Sequence, residues 1–241
     1  MRYGIIADIH SNLEALEAVI AKIYQLKVDL ILCAGDIVGY GANPRECLDI
    51  LRELKVVSVA GNHDWAVCGK LDFSYFTAEG QAAVQWTRKQ LAFEDIAYLN
   101  NLDLCLKNKD CLLVHSSLEN PGQFIYLNNV EKAKEAYSHM DSSICLIGHT
   151  HVPRIFIQRD GGVLDSDILD IDINPQYQYI VNVGSVGQPR DGNTMASFCV
   201  FDKSLGTIEN HRVLYDIRKA QQKILDAKLP ESLAVRLIQG R

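Results

Sequence analysis

A repeated pattern most constrains how this chain can fold: an apolar, strand-like run ends at an acidic, amide or imidazole side chain, and a helix-like segment follows. The pattern occurs five times, and five of the seven histidines fall within it. The motifs are Asp8-Ile9-His10, Gly35-Asp36, Gly61-Asn62-His63-Asp64, His115 and Gly148-His149-Thr150-His151. Strands that alternate with helices form mostly parallel sheets, and their carboxyl ends meet at one edge. The pattern therefore predicts an α/β fold with these side chains gathered at that edge.

The motifs together supply seven nitrogen or oxygen donors, as two adjacent divalent metals require when one carboxylate bridges them. Each motif alone is weak evidence, because an Asp-x-His pair is more often a cap or a surface pair. Gly-Asn-His-Asp is sharper, since it places two donors directly after a strand, where the backbone holds them still. The joint occurrence predicts a dinuclear metal site. His139 and His211 lie outside the pattern and are interpreted as ordinary core or surface histidines.

Local signals also predict the order of helices and strands in the first half of the chain. Ser11 or Asn12 can cap a helix with apolar residues every three to four positions, and Pro44 suits the first position of another helix. Residues 65–103 are predicted to be helical, either as a lid or wall over the site or as plain packing on the sheet. Strand-like runs that complete a β-α-β-α-β unit lie at residues 3–7, 29–34 and 56–60.

The second half of the chain has the pattern of antiparallel strands, which predicts a second sheet packed on the first. Pro230 divides the amphipathic tail, residues 216–241, into two predicted helices. The other predicted elements are a hairpin over residues 104–106 and 111–115, a helix at about 130–139, a strand at 144–147, and strands from residue 154 onward with turns near 160–162 and 205–206.

Composition is that of one large globular domain. The 241 residues are 48% hydrophobic, which is ample for a core, and they contain no internal repeat, low-complexity segment or linker. We therefore expect residues 1–241 to form a single domain. The net charge of −6 argues against a surface that binds nucleic acid in bulk, while a small phosphodiester stays open as a partner. The sequence leaves the oligomeric state open.

The cysteines favour a reducing compartment. They number seven and include no Cys-x-x-Cys pair, so they do not resemble a disulfide framework. Cys33, Cys111, Cys145 and Cys199 lie in apolar runs and are predicted to be buried thiols, which predicts a cytoplasmic protein. A strand at residues 3–7 leaves no room for a cleavable leader, and no apolar run is as long as a membrane span, so we expect no membrane partner.

On these motifs the chain resembles the calcineurin-like metallophosphoesterases, in particular their small bacterial and archaeal phosphodiesterase branch. The resemblance covers nearly the whole chain. It implies a four-layer αββα sandwich of two mixed β-sheets flanked by helices, with a dinuclear metal site at the carboxyl ends of the strands. His63 matches the family's histidine that faces the leaving group. The implied ligands are Asp8, His10 and His151 for one metal, Asn62, His115 and His149 for the other, and Asp36 as the bridge.

The donor types indicate the metal and the chemistry. Carboxylate, imidazole and amide donors suit borderline ions, so Mn²⁺ is favoured, with Fe²⁺, Zn²⁺ or Ni²⁺ as alternatives. Two such ions lower the pKa of a shared water, and the bridging hydroxide attacks phosphorus in line with the leaving oxygen. His63 is predicted to give the departing alkoxide its proton. Asp64, also a catalytic candidate, either orients His63 or caps the helix that follows.

Arg190 is the main candidate for gripping phosphate. It ends residues 182–190, where two glycines and a proline let the backbone approach another group closely. A guanidinium there can bind phosphate through two hydrogen bonds, although the segment can equally be a tight turn between two strands. The family carries a similar stretch, which supports the catalytic interpretation. Arg45 is a weaker candidate, in the first turn of a helix after Gly35-Asp36.

Departures from the family pattern bear on the substrate. Protein Ser/Thr phosphatases and diadenosine tetraphosphatases carry an Arg in the second motif, and Tyr40 stands in its place here. Asp64 replaces a Glu, and Ser11 replaces a Gly. These departures favour a small phosphodiester or nucleotide-type substrate. The alternatives are a phosphomonoesterase or protein phosphatase, a diadenosine tetraphosphatase-like hydrolase, and a non-catalytic scaffold like the retromer subunit. Eroded ligands or a missing proton-donor histidine would indicate the scaffold.

Overall fold

Two mixed β-sheets of six strands each pack face to face, and helices cover both outer faces. The computed structural model describes residues 1–241. The first sheet contains β1 Arg2–Ile6, β2 Leu30–Cys33, β3 Val57–Ser58, β9 Ile171–Asp172, β11 Ala196–Asp202 and β12 Thr207–Val213, in the order β3-β2-β1-β11-β12-β9. The second contains β4 Cys105–Lys107, β5 Leu112–Val114, β6 Ile144–Ile147, β7 Arg154–Arg159, β8 Gly162–Ser166 and β10 Gln178–Asn182, in the order β4-β5-β6-β10-β7-β8.

Eight α-helices accompany the sheets. They are α1 Leu13–Gln25, α2 Pro44–Glu53, α3 Asn62–Cys68, α4 Ala78–Gln90, α5 Phe93–Asn100, α6 Val130–Tyr137, α7 Ile217–Asp226 and α8 Glu231–Gln239. Those on the first sheet include α1 and α2, while α6 lies on the second sheet. The two C-terminal helices pack on each other and on α4.

Three hydrophobic cores separate the layers. One joins α1 and α2 to the first sheet, with Leu16, Leu48 and Phe198 fully buried. A second fills the space between the sheets, where Ile5 of β1 and Tyr179 of β10 belong to the same cluster. The third joins α6 to the second sheet. Each sheet face is thus covered by another layer, as an apolar sheet face requires, and the four-layer arrangement expected from the sequence is confirmed.

The N-terminal β-α-β-α-β unit forms as predicted. Strands β1, β2 and β3 are parallel neighbours, because helices connect them. Asn12 caps α1, since its Oδ1 accepts a hydrogen bond from Ala15 N at 3.2 Å, and Pro44 is the first residue of α2. The strand predicted at residues 56–60 is shorter, because Ala60 N donates to Asp103 O and leaves the sheet ladder before Gly61.

The second half follows the prediction in part, because a second sheet does pack on the first, but β9, β11 and β12 extend the first sheet, where β11 pairs antiparallel with β1. Strands β4 and β5 form the first hairpin, and β7–β8 and β11–β12 form two more. Pro230 precedes α8, and all seven cysteines are free thiols, with Cys33, Cys111, Cys145 and Cys199 buried. None of the helices has both the length and the apolar character that crossing a bilayer requires.

Candidate metal centre

The seven predicted metal ligands come together at one edge of the two sheets. The first sheet contributes Asp8, His10 and Asp36, which follow β1 and β2 directly. The second contributes the histidines that follow β5 and β6. Asn62 begins α3, just beyond β3. The carboxyl ends of parallel strands bring these side chains together, as the repeated pattern predicted.

One group of donors consists of Asp8, His10 and His151. The two imidazole Nε2 atoms lie 3.0 Å apart. Asp8 Oδ1 lies 3.4 Å from His151 Nε2 and 3.9 Å from His10 Nε2. This oxygen is buried and has no hydrogen-bond partner, which is costly for a carboxylate unless a cation approaches it.

The other group consists of Asn62, His115 and His149. His115 Nε2 lies 3.1 Å from His149 Nδ1 and 3.2 Å from Asn62 Oδ1. Asp36 lies between the groups: its Oδ2 is 3.6 Å from His10 Nε2 and 3.4 Å from His115 Nε2. The chain's residues therefore fit two adjacent divalent ions with one carboxylate shared between them.

Backbone carbonyls fix which ring nitrogen faces the cluster. His10 Nδ1 lies 3.2 Å from Val38 O, His115 Nδ1 lies 2.7 Å from Ala34 O, and His151 Nδ1 lies 2.6 Å from Gln188 O. A proton on each Nδ1 donates to its carbonyl and leaves the Nε2 lone pair free. The pKa values of His10 and His151 are held well below the usual value by burial, so their neighbouring Nε2 atoms have no proton to share and their close approach suits a cation.

Asp8 and Asp36 each use one oxygen for the backbone and direct the other into the cluster. Asp8 Oδ2 accepts a hydrogen bond from His149 N at 2.9 Å. Asp36 Oδ1 accepts one from His63 N at 2.8 Å. Each backbone bond fixes its carboxylate in orientation, and it also ties together two loops that carry ligands.

Most of the candidate ligands have a left-handed backbone conformation. This conformation is uncommon for residues other than glycine. Such conformations are strained and persist where the surrounding structure determines them. Here backbone hydrogen bonds join the loops after β1 and β2: Asp8 N donates to Gly35 O, and His10 N donates to Asp36 O. The positive φ angles are 52° at Asp8, 48° at His10, 53° at Asp36, 70° at His149 and 61° at His151.

Burial is the largest influence on the pKa values in the cluster, because it disfavours the charged form of each group. It raises the pKa of Asp8 to about 8 and lowers that of His149 to about 3. For Asp36, the attraction of His115 and His63 outweighs burial and holds its pKa well below the usual value. Asp36 in turn raises the pKa of His115 to about 9 against the effect of burial. The metal-free cluster thus holds protons that metal ions displace on binding.

His63 lies against the cluster, with a ring nitrogen within 4.8 Å of the donor atoms of His10 and Asp36. Its ring is buried among Tyr40, Phe76 and His10, with centroid distances of 4.3, 5.0 and 4.9 Å. Its Nδ1 has no hydrogen-bond partner, and burial lowers its pKa to about 4. The ring lines the cleft described below.

The contacts of Asp64 are those of a cap. Its Oδ2 accepts from Gly61 N at 2.9 Å at the start of α3, and its Oδ1 accepts from Ile37 N and Val38 N. Neither oxygen bonds to His63, so these contacts fit the capping alternative and give the His63 ring no direct hydrogen bond from Asp64. Asp64 instead ties α3 to the loop after β2.

Arg190 lies at the cluster, whereas Arg45 does not. Arg190 donates to Gln188 Oε1 from Nη2 at 2.8 Å, and its guanidinium lies 5.8 Å from the centre of the Tyr40 ring. Arg45 lies on the surface of α2, with its Nε 3.4 Å from Asp95 Oδ2. A phosphate-binding role for Arg45 is therefore wrong.

The two histidines outside the motifs also lie outside the site. His139 is exposed just after α6, while His211 is half-buried in β12 with its ring 5.1 Å from that of Phe198. Their interpretation as ordinary structural or surface residues is confirmed.

A cleft of about 250 Å³ opens over the cluster. Arg190 is the one lysine or arginine that lines it. Residues 71–77 form one wall and are not helical, so the helix predicted over residues 65–103 is interrupted where the chain covers the site, and α4 and α5, which follow, pack on α3. Sequence reasoning missed the aromatic lining, which carries no periodic signal. Its members are Tyr40, Tyr75, Phe76, Phe124 and Tyr126.

Comparison with known proteins identifies the family. The profile of the calcineurin-like phosphoesterase superfamily domain matches residues 1–205. A protein of Methanocaldococcus jannaschii, itself uncharacterized, is 41% identical over 242 residues, which cover 99% of this chain and 98% of that one. A metallophosphoesterase from Sphaerobacter thermophilus is 39% identical, and its crystal structure superposes with a TM-score of 0.87 over 100% of this chain and 99% of that one.

A third relative supports the fold alone. A hypothetical protein from Pyrococcus horikoshii superposes with a TM-score of 0.83 at 22% identity, over 100% of this chain and 98% of that one. The two sheets and the Asp/His cluster at their edge have the arrangement of a metallophosphoesterase. The chain belongs to the calcineurin-like phosphoesterase superfamily.

Proposed function

We propose that this protein hydrolyses small phosphodiesters or nucleotide-type phosphate esters with two divalent metal ions, Mn²⁺ being favoured. The observation that carries the proposal is the position of Asp36 Oδ2, within 3.6 Å of a histidine nitrogen from each donor group. A single carboxylate oxygen between two ligand sets is what a dinuclear centre requires. When bound, two such ions neutralise phosphate charge and lower the pKa of a water that attacks phosphorus.

The chain's own residues complete the reaction. Arg190, held by Gln188 and Tyr40, donates hydrogen bonds to a phosphate oxygen in the cleft. His63 faces the leaving oxygen and supplies its proton. A bound phosphate carries negative charge, which favours the protonated ring and opposes the effect of burial on its pKa. Asp64 is a positioning residue in this scheme, because it holds α3, and with it His63, against the loop after β2.

The preference for diesters follows from the charge of the cleft. Tyr40 occupies the position where related phosphatases carry an Arg, which leaves Arg190 as the one basic side chain in the lining. A phosphodiester has a single negative charge, whereas a monoester dianion has a second charge for which the lining offers no basic side chain besides Arg190. The scaffold alternative predicts eroded ligands, and instead all seven donors converge with His63 beside them.

The setting of the enzyme is part of the proposal. The seven free thiols support a reducing compartment, and we propose the cytoplasm. The partner is a small phosphoester, with no membrane and no bulk nucleic acid, and residues 1–241 act as one domain.

The proposal is tested with an aryl phosphodiester and the matching monoester on one metal-loaded sample. We expect kcat/KM to be higher for the diester with Mn²⁺, and to fall on chelation. Arg190→Gln should weaken diester turnover, while Arg45→Gln serves as the matched control and should leave it unchanged. Strong monoesterase activity without diesterase activity would contradict the diester preference. Absence of hydrolysis with two metals bound would favour the scaffold alternative.

A further inference from the structure

We propose that the cleft selects phosphodiesters that carry a nucleobase, and that Tyr126 and Tyr75 hold the base beside the phosphate. This inference rests on the function proposed above and names its substrate class. The metals and Arg190 account for the phosphate alone. They leave unexplained why the same cleft presents two tyrosines that are 51% and 68% exposed.

Tyr126 has one ring face packed and the rest of its side chain open. Its ring stacks on the metal-ligand candidate His149, with centroids 4.1 Å apart and planes 20° apart. The stack places the phenol directly beside the metal cluster. A planar group attached to a phosphate at the cluster would therefore meet this ring.

The chain around Tyr126 is anchored. Phe124, two residues earlier, is buried and has a left-handed backbone with φ of 50°. It packs edge-on against Trp65 at 5.5 Å and lies 6.0 Å from the His115 ring. A strained, buried anchor of this kind holds the loop in place, so Tyr126 loses little freedom when a ligand stacks on it.

Tyr75 comes from another segment of the lining, residues 71–77, and is also held. It packs edge-on against Phe76 at 5.9 Å, and Phe76 lies 5.0 Å from His63. Gln81 Nε2 donates to Ser74 O at 2.8 Å and to Phe76 O at 2.9 Å, which pins the segment to α4. The wall is therefore formed before a ligand arrives.

A nucleobase suits these rings better than an alkyl or peptide group. Bases stack on aromatic side chains through their π faces, whereas a small alkyl diester would leave both rings in water. Gln123 in the lining offers an amide that can both donate to and accept from a base edge. With one basic residue in the cleft and a net charge of −6, the fitting ligand is a mononucleotide-sized ester and not a polyanion.

The test compares two monoesters of the kind that diester hydrolysis would release, adenosine 5′-phosphate and ribose 5-phosphate, which lacks the base. Calorimetry on the Mn²⁺-loaded protein gives both dissociation constants without requiring turnover. We expect the nucleotide to bind at least about 5-fold more tightly, as expected for one stacked base. In Tyr126→Ala the ratio of the two dissociation constants should fall close to one. Tyr126→Phe should keep the wild-type ratio, and Tyr75→Ala should reduce it. Tyr24→Ala is the matched control, since Tyr24 is a 62% exposed tyrosine of α1 outside the cleft.

Comparing the ratio of the two dissociation constants cancels indirect effects that change the binding of both ligands equally. Tyr126 packs on a ligand candidate, so metal content is measured for each variant, and a weaker metal site affects both phosphates alike. Equal dissociation constants in the wild type, or a ratio that survives both alanine variants, overturns the inference. Diester hydrolysis without base preference rejects the inference alone. Base preference without any hydrolysis rejects the proposed function and supports base recognition.

Discussion

At the scale of single residues, Asp36 is the side chain that contacts both donor groups and also the backbone of His63. Its Oδ1 fixes the backbone of His63, and its Oδ2 faces both donor groups. Gly61 makes room for it, because a Cβ added there would lie 2.0 Å from Asp36 Oδ1. The carboxylate is thus confined to one position from several sides.

We predict that Asp36→Asn loses activity far more than it loses folded structure. The amide keeps the shape but lacks the negative charge that two cations share, whereas the strand before it is held by β1 and β3. Activity should fall at least the ~10 to 100-fold that weaker perturbations of metal sites cause. The measurements are kcat, metal content and thermal unfolding. Asp95→Asn is the matched buried control: it removes the charge that pairs with Arg52 and Arg45 away from the cluster, so it should lower stability and keep activity.

Retention of full activity and two metals per chain by Asp36→Asn would remove the bridging role. A variant that no longer unfolds cooperatively would show instead that the residue is needed for the fold.

His63→Ala should distinguish substrates by leaving group. General-acid catalysis contributes ~10² to 10⁴-fold only where the departing oxygen needs a proton. The variant should therefore keep both metals. Its rate of hydrolysis should fall modestly for a nitrophenyl ester and much more for an unactivated alkyl or nucleotide ester. Both rates are taken on one sample, so errors in concentration cancel. Equal losses on the two substrates, or a lost metal, would show that His63 is not the proton donor, and His211→Ala should change neither rate.

At the scale of elements, the segment between β10 and β11 is built against the loop after β1. Gly187 N donates to Asp8 O at 2.9 Å, and a Cβ on Gly187 would lie 1.8 Å from Ile9 O. The close approach predicted for this segment is therefore made to the chain's own backbone. It places the Gln188 carbonyl on His151 and sets the direction of Arg190.

Gly187→Ala should accordingly lower both stability and activity. The added methyl meets backbone, which cannot move without displacing Ile9, so overpacking should cost ~1–3 kcal/mol. Chemical denaturation measures the free energy of unfolding, and kcat/KM for a diester measures the activity lost because Arg190 is displaced. Gly162→Ala is the matched control, because the nearest atom to its added Cβ is 3.9 Å away. If Gly187→Ala were as stable as that control, the backbone contact would not constrain the loop.

Elements with local signals could be predicted from the sequence, and so could the convergence of the candidate ligands at one edge of the sheets. Asn12, Pro44 and Pro230 mark helix starts by their own chemistry, and each donor follows a strand directly along the chain. The contacts of Asp64 with the loop after β2, and the stack of Tyr126 on His149, join residues that are distant in sequence. Such contacts depend on how the two sheets face each other, which no local pattern encodes.

At the scale of the whole molecule, the metal cluster is a junction between the two sheets. Asp8, His10 and Asp36 belong to strand ends of the first sheet, and His115 to the second. Elsewhere the sheets meet through the apolar core between them. Ions held by donors from both sheets would therefore add a polar link at one edge of an interface that is otherwise hydrophobic.

Metal binding should consequently stabilise the whole fold. An ion that binds the folded chain and not the unfolded one stabilises it by RT ln(1 + [L]/Kd), or ~2.7 kcal/mol at a concentration of 100 Kd. For a chain of this size that corresponds to a rise in Tm of roughly 5–10 °C. Scanning calorimetry of the chelator-treated protein, before and after adding Mn²⁺, measures the shift. Asp36→Asn should show a smaller shift, and His139→Ala, altered at an exposed histidine outside the cluster, should show the full one.

The effect of pH on metal-induced stabilisation also follows from the groups in this cluster. The metal-free cluster holds protons, because burial raises the pKa of Asp8 to about 8 and Asp36 raises that of His115 to about 9. Metals displace these protons, so the Mn²⁺-induced rise in Tm should shrink as the pH falls from 8 to 6 at fixed metal concentration. A rise that is independent of pH, or equal in Asp36→Asn and wild type, would mean that the stabilising ions bind outside this cluster and that the sheets are joined by their apolar core alone.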